Sequence, residues 1–372
     1  MSKDILLCLR DLKSGVPMEL RPGGFIEKKL FTDRCGSSLN ILNISNGLLT
    51  FTIILERGMD IGEIRLGKEK ISWNRSEEYL LHPDNVDLYE EGGWEKGFYG
   101  AVAAVGPEIF GTPDEVRTVH GTGSYSEAAP DSVRISLGEE RLCVEGTVPI
   151  RGYGSKPVYE KSIRYVTAYN SPLLVRKDTT ANLTGVRQPL DDGYHIQLSG
   201  EFVTEGGRYV LPVARDKMLL RDSAPIEKNP LKIYDFNEKL DPIRCYQYVP
   251  EPVNGLEEYT GLDFYGELIK DNGKITAEML VNSQKDTAAF VIRPLDKFPR
   301  SLIAKRAVKE PMYALEPCRT RPNSLKQKSI DGELVYLEPY GSDASWIALG
   351  ISRDATAILG LEQLIEAAAG QK

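Results

Sequence analysis

From about Ser38 onward, apolar and polar residues alternate with the two-residue period of half-buried strands. SLNILNI and LLTFTIIL are separated by Ser45-Asn46-Gly47, a turn-forming tripeptide, and so predict a hairpin. SVRISL and RLCVEGTV flank Gly138-Glu139-Glu140 in the same way, and VYEKSIRYV meets LLVRKDTTANL across Asn170-Ser171-Pro172. DFYGELIK and KITAEML around Asp271-Asn272-Gly273 predict a further hairpin, because Asn-Gly accepts the positive φ angles of a type I′ turn. AAFVI, MYAL, ELVYL and WIALGI continue the pattern. Helical signals are few. Ile5-Leu6-Leu7-Cys8-Leu9 reads as a short amphipathic helix with Ser2 as its cap. GLEQLIEAAAG reads as a short C-terminal helix from the spacing of Leu361, Leu364 and Ile365. Residues 77–97 show no period and predict a long loop with one helical turn, a length often tied to function.

Together these signals predict an all-β chain: an antiparallel sandwich of two broad sheets with few short helices. Its 372 residues are read as a single domain, with a core from about 24 to 351 and short helical extensions at both ends. No blade-length repeat favours a propeller. Hydrophobic residues make up 41% and charged residues 27%, ordinary for a soluble globular protein, while 34 glycines and 22 prolines suit a chain rich in turns. A net charge of -8 argues against a nucleic-acid or anionic-membrane partner. No apolar run is long enough for a membrane span or a signal peptide. Five scattered cysteines without a CxxC pair argue against structural zinc and suit reduced thiols, hence a cytoplasmic location.

The candidate chemistry lies in a few polar positions. In Tyr313-Ala314-Leu315-Glu316-Pro317, alternation sets Ala314 and Glu316 on one face, and Pro317 predicts the strand's end. A carboxylate there can serve as a base in a cleft, or can pair at the surface with Arg319 or Arg321. In Tyr194-His195-Ile196-Gln197-Leu198, His195 and Gln197 share a face, either a ligand cleft or an exposed polar sheet surface. His120 opens HGTGS, where glycines imply a tight turn or a close ligand approach; the motif is neither a GxSxG elbow nor a phosphate loop. Arg57 and Asp60 follow a strongly apolar strand and suit either sugar binding or a mutual ion pair. Trp73, Trp94, Tyr89 and Tyr99 border the irregular loop and can stack on sugar rings or pack beneath it. His82 stands apart in LLHPDN, and no HExxH or close histidine pair predicts a metal site.

In series, ERGMDI, GFYGAVAAVGPEIFGTP, HGTGS, DTTANLTGVRQPLDDGYHIQL and MYALEPC resemble the aldose 1-epimerase (galactose mutarotase-like) superfamily, closest to its poorly characterised domain-of-unknown-function branch. The resemblance runs from about Gly24 to Ile351 and implies an antiparallel β-supersandwich. It also implies an isomerase that interconverts sugar anomers without a cofactor. Glu316 would take the anomeric proton and His195 would protonate the ring oxygen, the two acting from opposite sides of one ring. Arg57 and His120 would bind hydroxyls, with Asp60, Trp73, Gln197 and Arg319 around the same ligand. The family's NHPxFNL-like run is replaced here by HIQLSG, and its sugar-binding aspartate has only Asp241 and Asp263 as candidates. The partner implied is a small carbohydrate, and a homo-oligomer is compatible with the sequence. Three other functions are compatible with the same residues: a non-catalytic sugar-binding or sensing protein, a sugar-phosphate epimerase using Arg187, Arg319 and Arg321, and a lyase or hydrolase. Hydrolysis needs two placed carboxylates and only Glu316 is nominated.

Overall fold

The computed structural model describes residues 5–370 except 21–22, 74, 152–155, 222–227, 235–242, 270–272 and 307–309. Two antiparallel sheets face one another. The first has nine strands, in the order Ile5–Cys8, Arg134–Leu137, Arg141–Ile150, Tyr159–Ala168, Leu173–Asn182, Ser342–Ser352, Ala288–Pro294, Ile275–Val281 and Arg208–Val210. The second has twelve, and its centre runs Arg244–Tyr248, Arg300–Arg306, Met312–Cys318, Gly193–Ser199, Val102–Val105, Asp60–Leu66. The alternation that predicts the strands is visible in Arg141–Ile150, where Leu142, Val144, Val148 and Ile150 are buried and the residues Cys143, Glu145, Thr147 and Pro149 between them are only half-buried. A core of Phe51, Tyr159, Tyr165, Tyr194, Leu315 and Ile347, among others, fills the space between the sheets. The strands Gly193–Ser199 and Met312–Cys318 are buried along their whole length, so both of their faces are covered. The polar face bearing His195 and Gln197 is therefore interior, not an exposed sheet surface.

Three hairpins stand as the sequence predicts them, around residues 45–47, 138–140 and 170–172. Four expectations need correction. The segment Ile5–Cys8 is an edge strand paired with Arg134–Leu137, followed by a single 3-10 turn. Four apolar residues carry too little periodicity to choose between helix and strand, and the open sheet edge decides; its expected cap, Ser2, lies outside the described residues. The stretch before Gly273 is not a strand. Leu262, Tyr265, Leu268 and Ile269 recur at helical spacing and pack into a second apolar cluster, forming 3-10 and turn structure. The turn residues Asp271 and Asn272 lie outside the described residues. The C-terminal helix is longer than its apolar pattern suggests, Ala355–Ala368, because the Asp354 carboxylate caps it by accepting from the N–H groups of Thr356 (2.8 Å) and Ala357 (3.2 Å). Pro317 does not end its strand, which continues to Cys318. The ladder to Gly193–Ser199 instead lapses between Gly193↔Cys318 and Ile196↔Leu315, beside the proline, which has no N–H to give. Among the described residues no helix is long and apolar enough to cross a membrane.

Candidate active site

The register of the two central strands sets His195 across from Glu316. Alternation turns both away from the inter-sheet core, which takes their neighbours Tyr194, Ile196, Leu315 and Tyr313. His195 Nδ1 and Glu316 Oε1 are 3.0 Å apart, and both side chains are buried. With the carboxylate ionised, Nδ1 carries the proton of this contact, leaving Nε2 as the ring's working atom. Nε2 has no hydrogen-bond partner.

His120 enters from the loop after Val102–Val105. Its φ is +59°, a left-handed conformation that the surrounding backbone holds in place. Its N–H donates to the Gly111 carbonyl at 3.1 Å, and its own carbonyl accepts from Gly106 N–H at 2.9 Å. Glu108 clamps the following turn by accepting from the Thr122 N–H and hydroxyl. A Cβ at Gly121 would lie 2.5 Å from Glu108 Oε2, so the turn requires glycine there. The result is an edge-to-face contact between His120 and His195, ring centroids 4.7 Å apart. Burial, reinforced by His195, holds the His120 imidazole well below its ordinary pKa, so it is neutral at pH 7. Its Nδ1 also lacks a partner.

Aromatic rings enclose the pair. Trp94 lies 5.7 Å from His195 and 4.9 Å from His120, Phe98 lies 5.6 Å from His195, and Phe110 stacks on His195 at 5.8 Å. Trp94 sits on the short helix Gly93–Lys96 within the irregular segment, which carries two further single turns. Its carbonyl accepts from the Tyr125 hydroxyl, tying this segment to the His120 loop.

The remaining nominated residues are placed around this centre in different ways. Gln197 is fully buried on the same face, and with its amide nitrogen turned to the backbone it donates to the Gly100 carbonyl at 2.8 Å. Trp73 packs on Phe98 at 5.5 Å, and its indole N–H donates to the Glu310 carbonyl. Arg57 lies over the Tyr125 ring at 4.1 Å and donates to the Ser124 and Leu81 carbonyls, bracing the loops behind the site. Asp60 is on the inter-sheet side, 3.4 Å from Arg176 and accepting from Ala104 N–H. Arg319 is held by Asp192 at 2.7 Å and Asp343 at 3.0 Å. Tyr99 packs in a separate apolar cluster, while Tyr89 is half exposed. His82 is remote from the other two histidines in its contacts, with Asp84 and Glu127 each 3.6 Å away. Asp263 lies in the 3-10 turn under the C-terminal helix's cluster, and Asp241 lies outside the described residues.

Sequence reading missed Phe110, Phe98, Leu302 and Glu108. The first, second and fourth sit inside the motif stretch GFYGAVAAVGPEIFGTP, but nothing local marks an apolar ring as facing a histidine ten to a hundred residues away, or a glutamate as clamping the turn at Thr122.

No functionally curated protein matches the chain in sequence. Solved structures share its fold at low identity. A Klebsiella pneumoniae protein with a provisional aldose 1-epimerase assignment aligns with a TM-score of 0.79 at 17% identity, covering 99% of this chain and 92% of that one. A galactose mutarotase-like protein from Clostridium acetobutylicum gives 0.58 at 14% identity, covering 88% and 98%. A further provisional aldose 1-epimerase from Escherichia coli K12 gives 0.50 at 13%, covering 85% and 99%. These likenesses establish a galactose mutarotase-like sandwich fold. The family model described as "Domain of unknown function (DUF4432)" matches residues 36–351, and the chain belongs to that family.

Proposed function

We propose that this protein interconverts the anomers of a sugar by acid–base ring opening and closure. The observation that carries the reading is the buried contact of His195 with Glu316, side by side on one face. This differs from the expectation that the two act from opposite sides of a ring. It suits the chemistry well, because the anomeric hydroxyl and the ring oxygen are bonded to the same carbon. Two adjacent groups can address both.

In the forward step, ionised Glu316 accepts the proton of the anomeric hydroxyl through its second oxygen. The C1–O bond to the ring oxygen breaks as the carbonyl forms, and His195, entering the step protonated on both ring nitrogens, gives its Nε2 proton to that ring oxygen. Rotation about C1–C2 presents the other carbonyl face. Ring closure moves the proton of Glu316 to the new anomeric oxygen and returns the proton of the attacking hydroxyl to His195, so no net proton, electron or cofactor is consumed. In this reading neutral His120 hydrogen-bonds a sugar oxygen beside His195, and the rings of Trp94 and Phe110 cover the sugar ring. Each proton transfer of this kind contributes about 10²–10⁴-fold, and holding the sugar against the pair adds to it.

Exchange NMR of anomer interconversion across free and phosphorylated aldoses tests the proposal. The parent should accelerate exchange for at least one sugar, and Glu316→Gln and His195→Ala should each lower that rate by about 10²–10⁴-fold. Binding without acceleration for every sugar would instead favour a sugar sensor on the same fold.

A further inference from the structure

The surroundings of the His195–Glu316 pair are short of polar groups. Its same-face neighbours on adjoining strands are Ala103 beside His195, Leu302 beside Glu316 and Ala314 beside Gln197. Trp94, Phe98 and Phe110 close over them. Three ring nitrogens here have no partner: His195 Nε2, His120 Nδ1 and Trp94 Nε1. Trp94 is 3% exposed and His195 9%. A buried nitrogen left unpaired is costly, and three in mutual ring contact mark a place where a ligand supplies the missing partners.

The described cations around this centre are already engaged, Arg221 by the Pro322 carbonyl at 3.1 Å among them. Arg319 is bound by Asp192 and Asp343, and Arg321 by Glu333 and Asp331. Lys328 is bound by Asp191. Arg57 donates to two carbonyls, and Arg75 lies on the Tyr79 ring while donating to the Glu95 and Phe98 carbonyls. A phosphate or carboxylate on the ligand would have to displace one of these interactions or remain unpaired in an apolar wall.

We infer that the ligand is an uncharged, hydroxyl-poor sugar: a deoxy aldose held at its anomeric centre by the pair and the ring nitrogens, with a C–H-rich face against Trp94, Phe98 and Phe110. This rests on the epimerase reading above for its turnover, but not for its selectivity. A hydroxyl pressed against Leu302 or a phenyl ring loses its hydrogen bonds to water and gains none, whereas a C–H group gains dispersion contacts. Specificity of this kind comes from groups left unpaired.

The test uses the intact protein and two readouts. The first is anomer exchange by NMR for galactose and glucose, their 2-deoxy and 6-deoxy forms, their 6-phosphates and the matching uronic acids. At least one deoxy sugar should exceed its parent by about 10-fold or more in kcat/KM, and the charged sugars should fall below the parent by about 100-fold. The second is binding of the corresponding 1,5-anhydro sugars, which lack the anomeric hydroxyl and cannot epimerise. These should show the same order. A preference for phosphorylated or uronic forms, or equal use of deoxy and parent sugars, would overturn the inference. Ordered binding of the anhydro series with no exchange by any sugar would uphold the selectivity and overturn the epimerase reading. No binding by any of them would overturn both.

Discussion

Tyr194 and His195 are consecutive residues on one strand, yet they enter opposite chemical environments. Tyr194 faces the space between the sheets, where its hydroxyl donates to Asp178 at 2.9 Å. Asp178 also receives Arg176 at 2.9 Å and lies 3.5 Å from Lys161, while Arg176 reaches Asp60 across the sheets. In this cluster charges meet opposite charges, although Arg176 Nη2 is unpartnered. His195 faces the other way, into aromatic rings, where its own Nε2 and the nearby His120 Nδ1 and Trp94 Nε1 are unpartnered. The inter-sheet face has used its polar groups to fix the packing of two sheets. The outer face has kept its own unspent, as a site requires when its partners arrive with the ligand. The comparison predicts that substitutions on one face act on turnover and on the other act on stability.

The largest expected effect is on the outer face. Glu316→Gln should cost about 10²–10⁴-fold in exchange rate while moving the urea midpoint by no more than about 1 kcal/mol equivalent, because Gln keeps the shape and an acceptor for His195. A large loss of stability in this variant would erase the distinction between the faces. The mirror experiment is Arg176→Met. It leaves Asp60 and Asp178 buried with less compensation, and urea unfolding should show a loss of about 3–5 kcal/mol. A variant as stable as the parent would mean that the inter-sheet charges do not hold the sheets.

Glu108 belongs to neither face and lies in the loop after Val102–Val105. It touches neither ring of the pair, but it clamps Thr122 and shapes the turn that presents His120. Burial pushes its carboxyl pKa up, against the pull of its Thr122 hydrogen bonds. Glu108→Ala should release the turn and lower kcat/KM by about 10-fold, the scale of one charge-assisted hydrogen bond. Glu108→Gln, which keeps an acceptor, should recover most of that loss. If the Ala variant retains parental kinetics, His120 is held in place by its glycine contacts alone.

How far these faces could be read in advance follows from the physics of each signal. Alternation exposes a strand wherever one face is wet, so Arg141–Ile150 and its neighbours were legible. The same alternation put His195 with Gln197, and Glu316 with Ala314, on their correct faces. It could not say that these two strands are adjacent or in which register, and the 3.0 Å contact between residues 121 apart depends on both. The partner of Asp60 was illegible for the same reason: the nearby Arg57 is the natural guess, but Arg176 arrives from the opposite sheet. Short apolar runs failed differently. Ile5–Cys8 and the segment from Leu262 carry four to eight residues each, too few to separate a period of 2 from one of 3.6.

The smallest effect is the one that probes the inter-sheet face most finely. Burial pushes the Asp60 carboxyl up to about 6 against the attraction of Arg176, whereas in the unfolded chain it titrates near its ordinary 3.8. Between those values the folded state binds more protons than the unfolded state, so stability falls as pH rises. The contribution of Asp60 is thus fully present below about pH 3.8 and is lost as pH passes through about 6, an effect of at most roughly 3 kcal/mol at neutral pH. Asp60→Asn removes this titration but leaves an oxygen to accept from the Ala104 N–H, and Arg176 keeps Asp178. Urea unfolding of parent and variant from pH 4 to 7 should therefore show a flatter stability profile in the variant by about 1–3 kcal/mol across that window. His120 enters both chains alike and slopes the other way: its depressed pKa costs stability as pH falls below about 6.5, because the unfolded chain then takes up the proton first. Subtracting the two profiles cancels it. If the difference is flat, Asp60 is ionised throughout, and the pull of Arg176 outweighs the cost of burying the charge.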